Sequence, residues 1–431
     1  MYQFRDPIHG FIEVSNDELK IINSAPFQRL RNIHQLATTY LVYHGAEHTR
    51  FGHSLGVMHL TSRVFDSVTK KKNNLFSNDS LENEKKTKWY RQILRLIGLT
   101  HDLGHAPFSH ASEELFENGK EHEDYTKIIL CNTEIADHIR CIGKNYKESY
   151  GDAYDITPEL VWMIYEGKDV TNEQFIMPDF LFLKSFMDGE MDCDKMDYLL
   201  RDAHYCGVSY GNYDLNRFVS TLTVHKQNNQ LQLAIERGGI QVLEEFVLAR
   251  YFMFIQVYFH KTRRYLDKAL VSSLKEVLPD GKYPDNIEEY LKWDDNRVLS
   301  LISESTGSAS LNFKSRKIMT CVYESKAHAE KSDTQNAKII YNVLKETFGE
   351  KILYDSVDKG AHKLAPTLLL PHDDSGKGIM IIDQKTDEIK NIMEESVVLG
   401  SIVKLISIKR IYAEKDIAKE VREKIKDLQK N

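Results

Sequence analysis

LIGLTHDLGHAPFSH, residues 96–110, decides the fold. Apolar residues recur at Ile93, Leu96, Ile97 and Leu99, the spacing of a helix. His101 and Asp102 follow that apolar run, where a charged pair is expensive to bury without a partner. Gly104 and Pro107 break the helix just beyond. At a helix end two short side chains can straddle one cation, and Gly104 leaves room for close approach. Two further pieces complete the pattern. His53 lies in TRFGHSLGV (residues 49–57), followed by the helical stripe Leu55, Met58 and Val64, and Asp194 lies in MDCDKMDYLLRD (residues 191–202). His53, His101, Asp102 and Asp194, drawn from three helices, make a metal-ligand set of the kind helical proteins build from facing helices. Two nitrogens and two carboxylates suit Mn, Fe, Co, Ni or Zn rather than Ca. A lone histidine is more often a satisfied core residue; here a cation is the cheapest partner for the pair.

The chain has 431 residues, 42% hydrophobic and 28% charged, with a net charge of −7. That allows one large domain plus an accessory region. It excludes a global basic field for nucleic acid, so an anionic substrate must be drawn by a local pocket. Cys131, Cys141, Cys193, Cys206 and Cys321 are odd in number and form no CxxC pair. They read as buried free thiols in a reducing cytoplasm. The N-terminus MYQFRDPIHG has no leader pattern, and no run approaches the ~18 apolar residues of a membrane span. The expectation is a cytoplasmic protein with no membrane partner.

The fold class read here is mainly α, a helical core over residues 1–278 with a small hairpin, followed by a mixed α+β region over 279–431. Asp17 is the expected cap of a short helix, and Pro26 suits the first turn of a helix running through FQRLRNIHQL (residues 27–36). Residues 70–90 are polar and read as a surface insertion. TLTVH and LQLAIE alternate around Asn228-Asn229 and read as a hairpin. A long apolar helix is expected from about Gly239 to Leu278, before Pro279. Further on, NAKIIYNVLKETF reads as helix, LAPTLLL, GIMII and VVLGSIVKLISI as strands, and AEKDIAKEVREKIKDLQK as a charged amphipathic helix.

Acid–base candidates cluster after the His-Asp pair. His105 lies four residues beyond His101. His110 and Glu113 are three apart on a helix expected from Pro107, so they share a face. His122 begins HEDYTKIIL. A carboxylate beside an imidazole raises its protonated population, and such a pair can protonate a leaving alkoxide, a role worth ~10²–10⁴ in rate. Asp194, Tyr198 and Asp202 share one helical face. Asp197 and Arg201 lie on another, read as a salt bridge worth only ~0.3–0.5 kcal/mol. Arg250, Phe254, Tyr258 and Lys261 form a further stripe, with Phe254 assigned to the core.

HDLGHAPFSH, preceded by TRFGHSLGV and followed by DCDKMDYLLRDAHYCG, resembles the HD-domain phosphohydrolase superfamily. Within it the chain looks most like the deoxynucleoside triphosphate triphosphohydrolases, the group that includes the sterile-alpha-motif/HD-domain enzymes. DPIHGFIEV and FQRLRNIHQL match the same group, and the resemblance covers roughly residues 1–265. It implies that His53, His101, Asp102 and Asp194 are the metal ligands. It implies that His105, His110, Glu113 and His122 are the catalytic and phosphate-contacting set, with His110 and Glu113 as the acid. Arg50, Lys195, Arg250 and Lys261 would grip a triphosphate, while Gln35, Leu36, Tyr198, Asp202 and Tyr258 line sugar and base. The implied reaction cleaves a dNTP at the α-phosphate to deoxynucleoside and tripolyphosphate, with Mg accompanying the substrate. A metal-dependent nuclease or phosphodiesterase and a non-enzymatic nucleotide sensor are the alternatives.

The same resemblance implies a homo-oligomer, tetramer or dimer, with an effector pocket at Asn23, Gln28 and Arg31. Asn23 stands where relatives carry a guanine-reading aspartate and Tyr2 where they carry a lysine. An amide cannot offer two acceptors to a guanine edge. The expectation is therefore that activation is absent or uses another nucleotide. Residues 279–431 read as an oligomerisation or regulatory subdomain.

Overall fold

Two 21-residue helices, Arg50–Lys70 and Ser80–Thr100, pack side by side and set the frame of the molecule. Both bury a continuous apolar face, including Val57, Leu60 and Val64 on one and Leu94, Ile97 and Leu99 on the other. The structure is a computed structural model and describes residues 1–167, 179–227, 230–357, 379–401 and 406–430. The fold is mainly α, with small sheets concentrated towards the C-terminal side. The Cys193–Cys206 helix packs across Arg50–Lys70. That approach requires Gly56, because a Cβ there would lie 1.9 Å from Asp197 Oδ1.

The chain opens with an antiparallel hairpin, Tyr2–Asp6 with Gly10–Val14. The next helix, Asn16–Asn23, is capped by Ser15 rather than Asp17. Ser15 Oγ accepts from Glu18 N while Glu18 bonds back to Ser15 N, a reciprocal pair that satisfies two end donors. Glu18 is buried and also accepts from Arg95 Nε at 2.6 Å. Burial alone would raise the Glu18 carboxyl, but Arg95 outweighs it and brings the pKa down to about 2. An unfolded glutamate titrates near ~4.3. The stabilisation from this pair is therefore present above that value and is lost as pH falls towards 2. Glu18→Gln should flatten this acid limb in thermal melts taken from pH 7 to pH 2; an unchanged slope would show that the pair carries no such linkage.

Several sequence expectations are corrected. The segment after Pro26 is one short helix, Ala25–Gln28, then a 3-10 turn, Arg29–Asn32, because Arg29 is pulled inward to bond backbone carbonyls. Of the supposed 70–90 insertion, residues from Ser80 onward already belong to the second frame helix, capped by Asp79. Its polar first turns escaped the apolar pattern. The long helix after Gly239 is divided into Ile240–Met253, a π-turn at Phe254–Tyr258, and Lys261–Val277 after a break at His260. Lys261 therefore does not continue the Arg250 stripe. Residues 397–401 of VVLGSIVKLISI are helical, and the strand begins at Ile408.

The expected hairpin pairs Leu222–Gln227 with Gln230–Glu236, while its Asn228-Asn229 turn and the LAPTLLL segment lie outside the described residues. Ile408–Ala413 is the centre of a three-stranded sheet between Thr320–Glu324 and Ile352–Val357. That sheet, with Lys331–Phe348 and Ala418–Leu428, closes a small core around Ile340, Leu344, Ile411 and Val421. Residues 283–313 instead join a core with Phe108, Leu115 and Phe116 of the loop after the His-Asp pair. Of the cysteines, only Cys193 is buried and Cys141 is exposed. No described helix is long and apolar enough to cross a membrane.

Candidate metal centre and histidine cluster

His53 lies in the first turn of Arg50–Lys70, His101 caps the C-terminal end of Ser80–Thr100, and Asp194 lies in the first turn of Cys193–Cys206. His53, His101 and Asp102 offer ligand atoms within 4.8 Å of one another. Asp194 Oδ1 is 2.9 Å from His53 Nε2 and 3.7 Å from His101 Nε2. The tautomers follow from the other ring nitrogens. His101 Nδ1 donates to the Gly98 carbonyl at 2.9 Å, so its Nε2 carries a lone pair into the cage. That buried Nε2 has no hydrogen-bond partner among the described residues. His53 Nδ1 lies 2.8 Å from Asp197 Oδ2, the carboxylate–imidazole arrangement that aims Nε2 at a metal.

The electrostatics ask for positive charge. Burial would lower the His53 pKa, but Asp194 and Asp197 outweigh it and push it up to about 10. Burial opposes charge on Asp102, yet Arg50, His101 and His105 hold its carboxyl well below the usual range. Asp194 is likewise held low against burial by His101 and His53. Two imidazole nitrogens and two ionised carboxylates, in a field that favours positive charge, fit a divalent transition metal.

Asp197 is the residue that sequence reasoning misplaced. Its pair with Arg201 is fully buried. It also receives His9 Nε2 at 2.6 Å, while Arg201 Nη1 reaches Asp6 at 2.9 Å. Removing one partner of a buried pair costs about 3–5 kcal/mol, far above a surface pair. The signal was present: Asp197 lies three residues from Asp194, so a helix sets the two side by side. His9 stood in DPIHG without a role. Asp197→Asn should weaken divalent-metal affinity about 10–100-fold, read by metal competition against a chelator. Wild-type affinity in that variant would mean that His53 needs no such orientation.

The second cluster surrounds Glu113. His105, His110, Glu113 and His122 bring their ligand atoms within 4.8 Å of one another. Residues after Pro107 form two 3-10 turns, Ser109–Ala111 and Glu113–Leu115, rather than the expected single helix. His110 and Glu113 nevertheless meet, with Nδ1 3.0 Å from both carboxylate oxygens. The turns start from Phe108 and Ser109, both left-handed at φ 59° and 54°. Such a conformation costs roughly 1–2 kcal/mol per non-glycine residue, so contacts elsewhere must hold it.

His122, at the start of His122–Asn132, places Nδ1 2.8 Å from Glu113 Oε1 and stacks on His105 with centroids 3.9 Å apart. Burial would lower His122, but Glu113 outweighs it and raises its pKa. Burial, with Arg50 and His122, drives His105 down to about 3, so that ring is neutral. Burial opposes ionised Glu113, yet its three histidines hold it strongly acidic. Gly104 permits this packing, since a Cβ there would lie 2.0 Å from the His122 carbonyl.

The remaining candidates fall into three groups. Near the cage, Arg50 Nη1 donates to Asp102 Oδ2 at 2.5 Å and Nε to Ser109 Oγ at 2.7 Å. The buried Lys195 ammonium binds Asp192 and the Gly189 carbonyl. Asp202 accepts from the Tyr258 hydroxyl at 2.7 Å and meets His48 Nε2 at 2.8 Å. Tyr198 packs edge-on against Tyr258. Its pKa is raised by burial and opposed by the nearby Arg250. Arg250 is buried, its guanidinium 5.4 Å over the Phe254 ring and its Nε and Nη1 without a hydrogen-bond partner among the described residues; Gln35 Oε1 is a buried acceptor that also lacks one among them. Leu36 is buried and Lys261 is exposed. Farther along the N-terminal segment, Arg31 Nε bonds Gln28 Oε1 and covers the Phe51 ring, while Asn23 is exposed. Sequence reasoning also passed over Tyr165, whose phenol lies near Asp102 and Asp194 and is pushed well up by burial.

A family model described as HD domain matches residues 50–148, and one described as HD associated region matches residues 213–347. The crystal structure of a hypothetical protein from Aquifex aeolicus is 30% identical, with a TM-score of 0.76 over 98% of this chain and 99% of that one. The chain belongs to the HD-domain family. Among curated proteins it is similar to uncharacterized protein YwfO of Bacillus subtilis, with 33% identity over 69% of this chain and 64% of the relative. It is also similar to a deoxynucleoside triphosphate triphosphohydrolase SAMHD1 homolog of Dictyostelium discoideum, with 30% identity over 73% and 57%. The human deoxynucleoside triphosphate triphosphohydrolase SAMHD1 is 28% identical over 70% and 51%. The chain thus spans between about half and two-thirds of the length of these curated relatives.

Proposed function

We propose that this chain hydrolyses deoxynucleoside triphosphates at the α-phosphorus, releasing a deoxynucleoside and tripolyphosphate. One observation carries the reading: His105 joins the two clusters, with Nε2 3.2 Å from Asp102 and Nδ1 3.3 Å from Glu113. A cation cage and a proton-holding imidazole group therefore share a wall. His53, His101, Asp102 and Asp194 would hold a divalent ion of the Mn, Fe, Co, Ni or Zn type, which supplies Lewis acidity and a more acidic water when bound. Mg²⁺ would arrive with the substrate phosphates.

The chain's own groups divide the remaining work. His110, held by Glu113, donates a proton to the departing 5′-oxygen. His122 presents positive charge to phosphate oxygens, while neutral His105, its two ring nitrogens facing Asp102 and Glu113, holds the two clusters together. The buried Nε and Nη1 of Arg250, without hydrogen bonds among the described residues, support anion binding, because buried donors left unsatisfied are costly. Arg50, Lys195 and Lys261 complete the proposed cationic set. Gln35, Leu36, Tyr198 and the Tyr258–Asp202 pair form the proposed sugar and base wall. The similarity to two proteins named as dNTP triphosphohydrolases supports the substrate class. We further propose a homo-oligomer using the 279–431 region for assembly or regulation, with no guanine-nucleotide activation through Asn23, Gln28 and Arg31.

The test is incubation of the pure protein with each dNTP, each NTP and single-stranded DNA, with Mn²⁺ or Mg²⁺, with and without GTP. Tripolyphosphate from dNTPs alone, unaffected by GTP, agrees with the proposal. Nucleotide release from the strand would favour the phosphodiesterase alternative. Inert dNTPs under every metal would refute it.

A further inference from the structure

Asp295 is a buried carboxylate 185 or more residues from the histidine loop in sequence, yet it binds that loop directly. Its Oδ1 accepts from Phe108 N at 2.7 Å. Its Oδ2 accepts from His34 N at 2.9 Å and faces His34 Nδ1 at 2.6 Å. The His34 ring stacks over Phe108 and Tyr40. Ser109 Oγ donates to the His34 carbonyl and accepts from Arg50 Nε, both at 2.7 Å. Phe108 and Ser109 are the two left-handed residues from which the turn carrying His110 departs. The segment preceding Asp295 grips the same loop. Tyr290 donates to the Gly104 carbonyl at 2.7 Å. Arg29 spans Trp293 and His105, donating to the carbonyl of each.

We propose that Asp295 is a positioning residue for proton donation: it fixes the Phe108–Ser109 turn in the one conformation that sets His110 against Glu113. Among the described residues Phe108 N has no other hydrogen-bond partner, and a left-handed pair of non-glycine residues persists only where its surroundings over-determine it. The role rests on the proposed acid function of His110, but the geometry of the turn does not. Among the described residues the hydrogen bonds of the Asp295 carboxylate go to Phe108 and His34, outside the proposed ligand and substrate set, so it acts through Phe108 and not as a catalytic group.

The test uses the full chain and Asp295→Asn. The amide keeps the shape of the carboxylate but offers one acceptor where two are needed. Two substrates are compared, a dNTP and bis(p-nitrophenyl) phosphate, whose nitrophenolate departs without a proton. Expected is a loss of about 10² in kcat on the dNTP, the order a misplacement of ~1 Å produces, with KM within about twofold. Aryl diester turnover and metal content should stay near wild type. Equal losses on both substrates, or none on either, would overturn the proposal. Amide exchange at Phe108 supplies a second reading that needs neither substrate nor a folded variant. In the wild-type chain this amide should exchange far more slowly than those of His110 and Glu114. Comparable rates would overturn the clamp, whereas dNTP inertness with a protected amide would count only against the assigned substrate.

Discussion

Asp102→Asn is expected to lower turnover by at least about 10³-fold and to abolish divalent-metal binding, because in the proposed site Asp102 is an ionised ligand that a neutral amide cannot replace. Asp102 is the hub of the site. Its Oδ2 receives Arg50, and its Oδ1 lies 3.3 Å from His101 and 3.2 Å from His105. Uncharged asparagine leaves Arg50 buried without its carboxylate counter-ion and removes from the centre of the cage the negative charge that balances a cation there. His53 then loses part of the field that favours charge there. Metal content and kcat should fall together, and high Mn²⁺ should restore only part of the rate. A variant that keeps full metal content and loses activity would place Asp102 in a different role.

Glu113→Gln is expected to reduce kcat by about 10²–10⁴-fold, the usual value of a positioned proton donor. It should also move the alkaline limb of the pH–rate profile downward. The sign follows from the surroundings. Glu113 raises the His122 pKa against burial. With a neutral amide in its place, burial is opposed only by the weaker pull of Glu123 and Asp102, and the imidazolium gives up its proton at lower pH. His110 loses the same carboxylate at 3.0 Å. The metal should stay, since Glu113 lies on the far side of His105 from the cage. A variant whose limb stays in place while kcat falls would show that the carboxylate does not set the protonation of this cluster.

The parts of this molecule legible in the sequence are those carried by local pattern. The apolar stripe before His101 and the Gly104 and Pro107 breakers after it predicted a helix ending at the pair, and Ser80–Thr100 ends there. His110 and Glu113 met through 3-10 turns because a spacing of three residues keeps two side chains adjacent in either helix type. What stayed hidden depends on tertiary contact. Asp197 read as half of a surface pair because, although its spacing from Asp194 sets the two side by side, its burial depends on the close approach of Gly56 on another helix. The break at His260 was masked by apolar residues that continue through the π-turn. Asp295 lay in a stretch without motif, and only the fold brings it to Phe108. The helix from Ser80 was hidden by its own solvent-facing charges, which carry no periodic apolar signal until Trp89.

Hydrolysis of a dNTP in ¹⁸O-enriched water, followed by mass spectrometry of both products, tests the central claim most directly. Attack at the α-phosphorus beside the His53, His101, Asp102 and Asp194 cage predicts one ¹⁸O in tripolyphosphate and none in the deoxynucleoside. Label in the nucleoside, or release of a monophosphate or diphosphate nucleotide in place of tripolyphosphate, would contradict it.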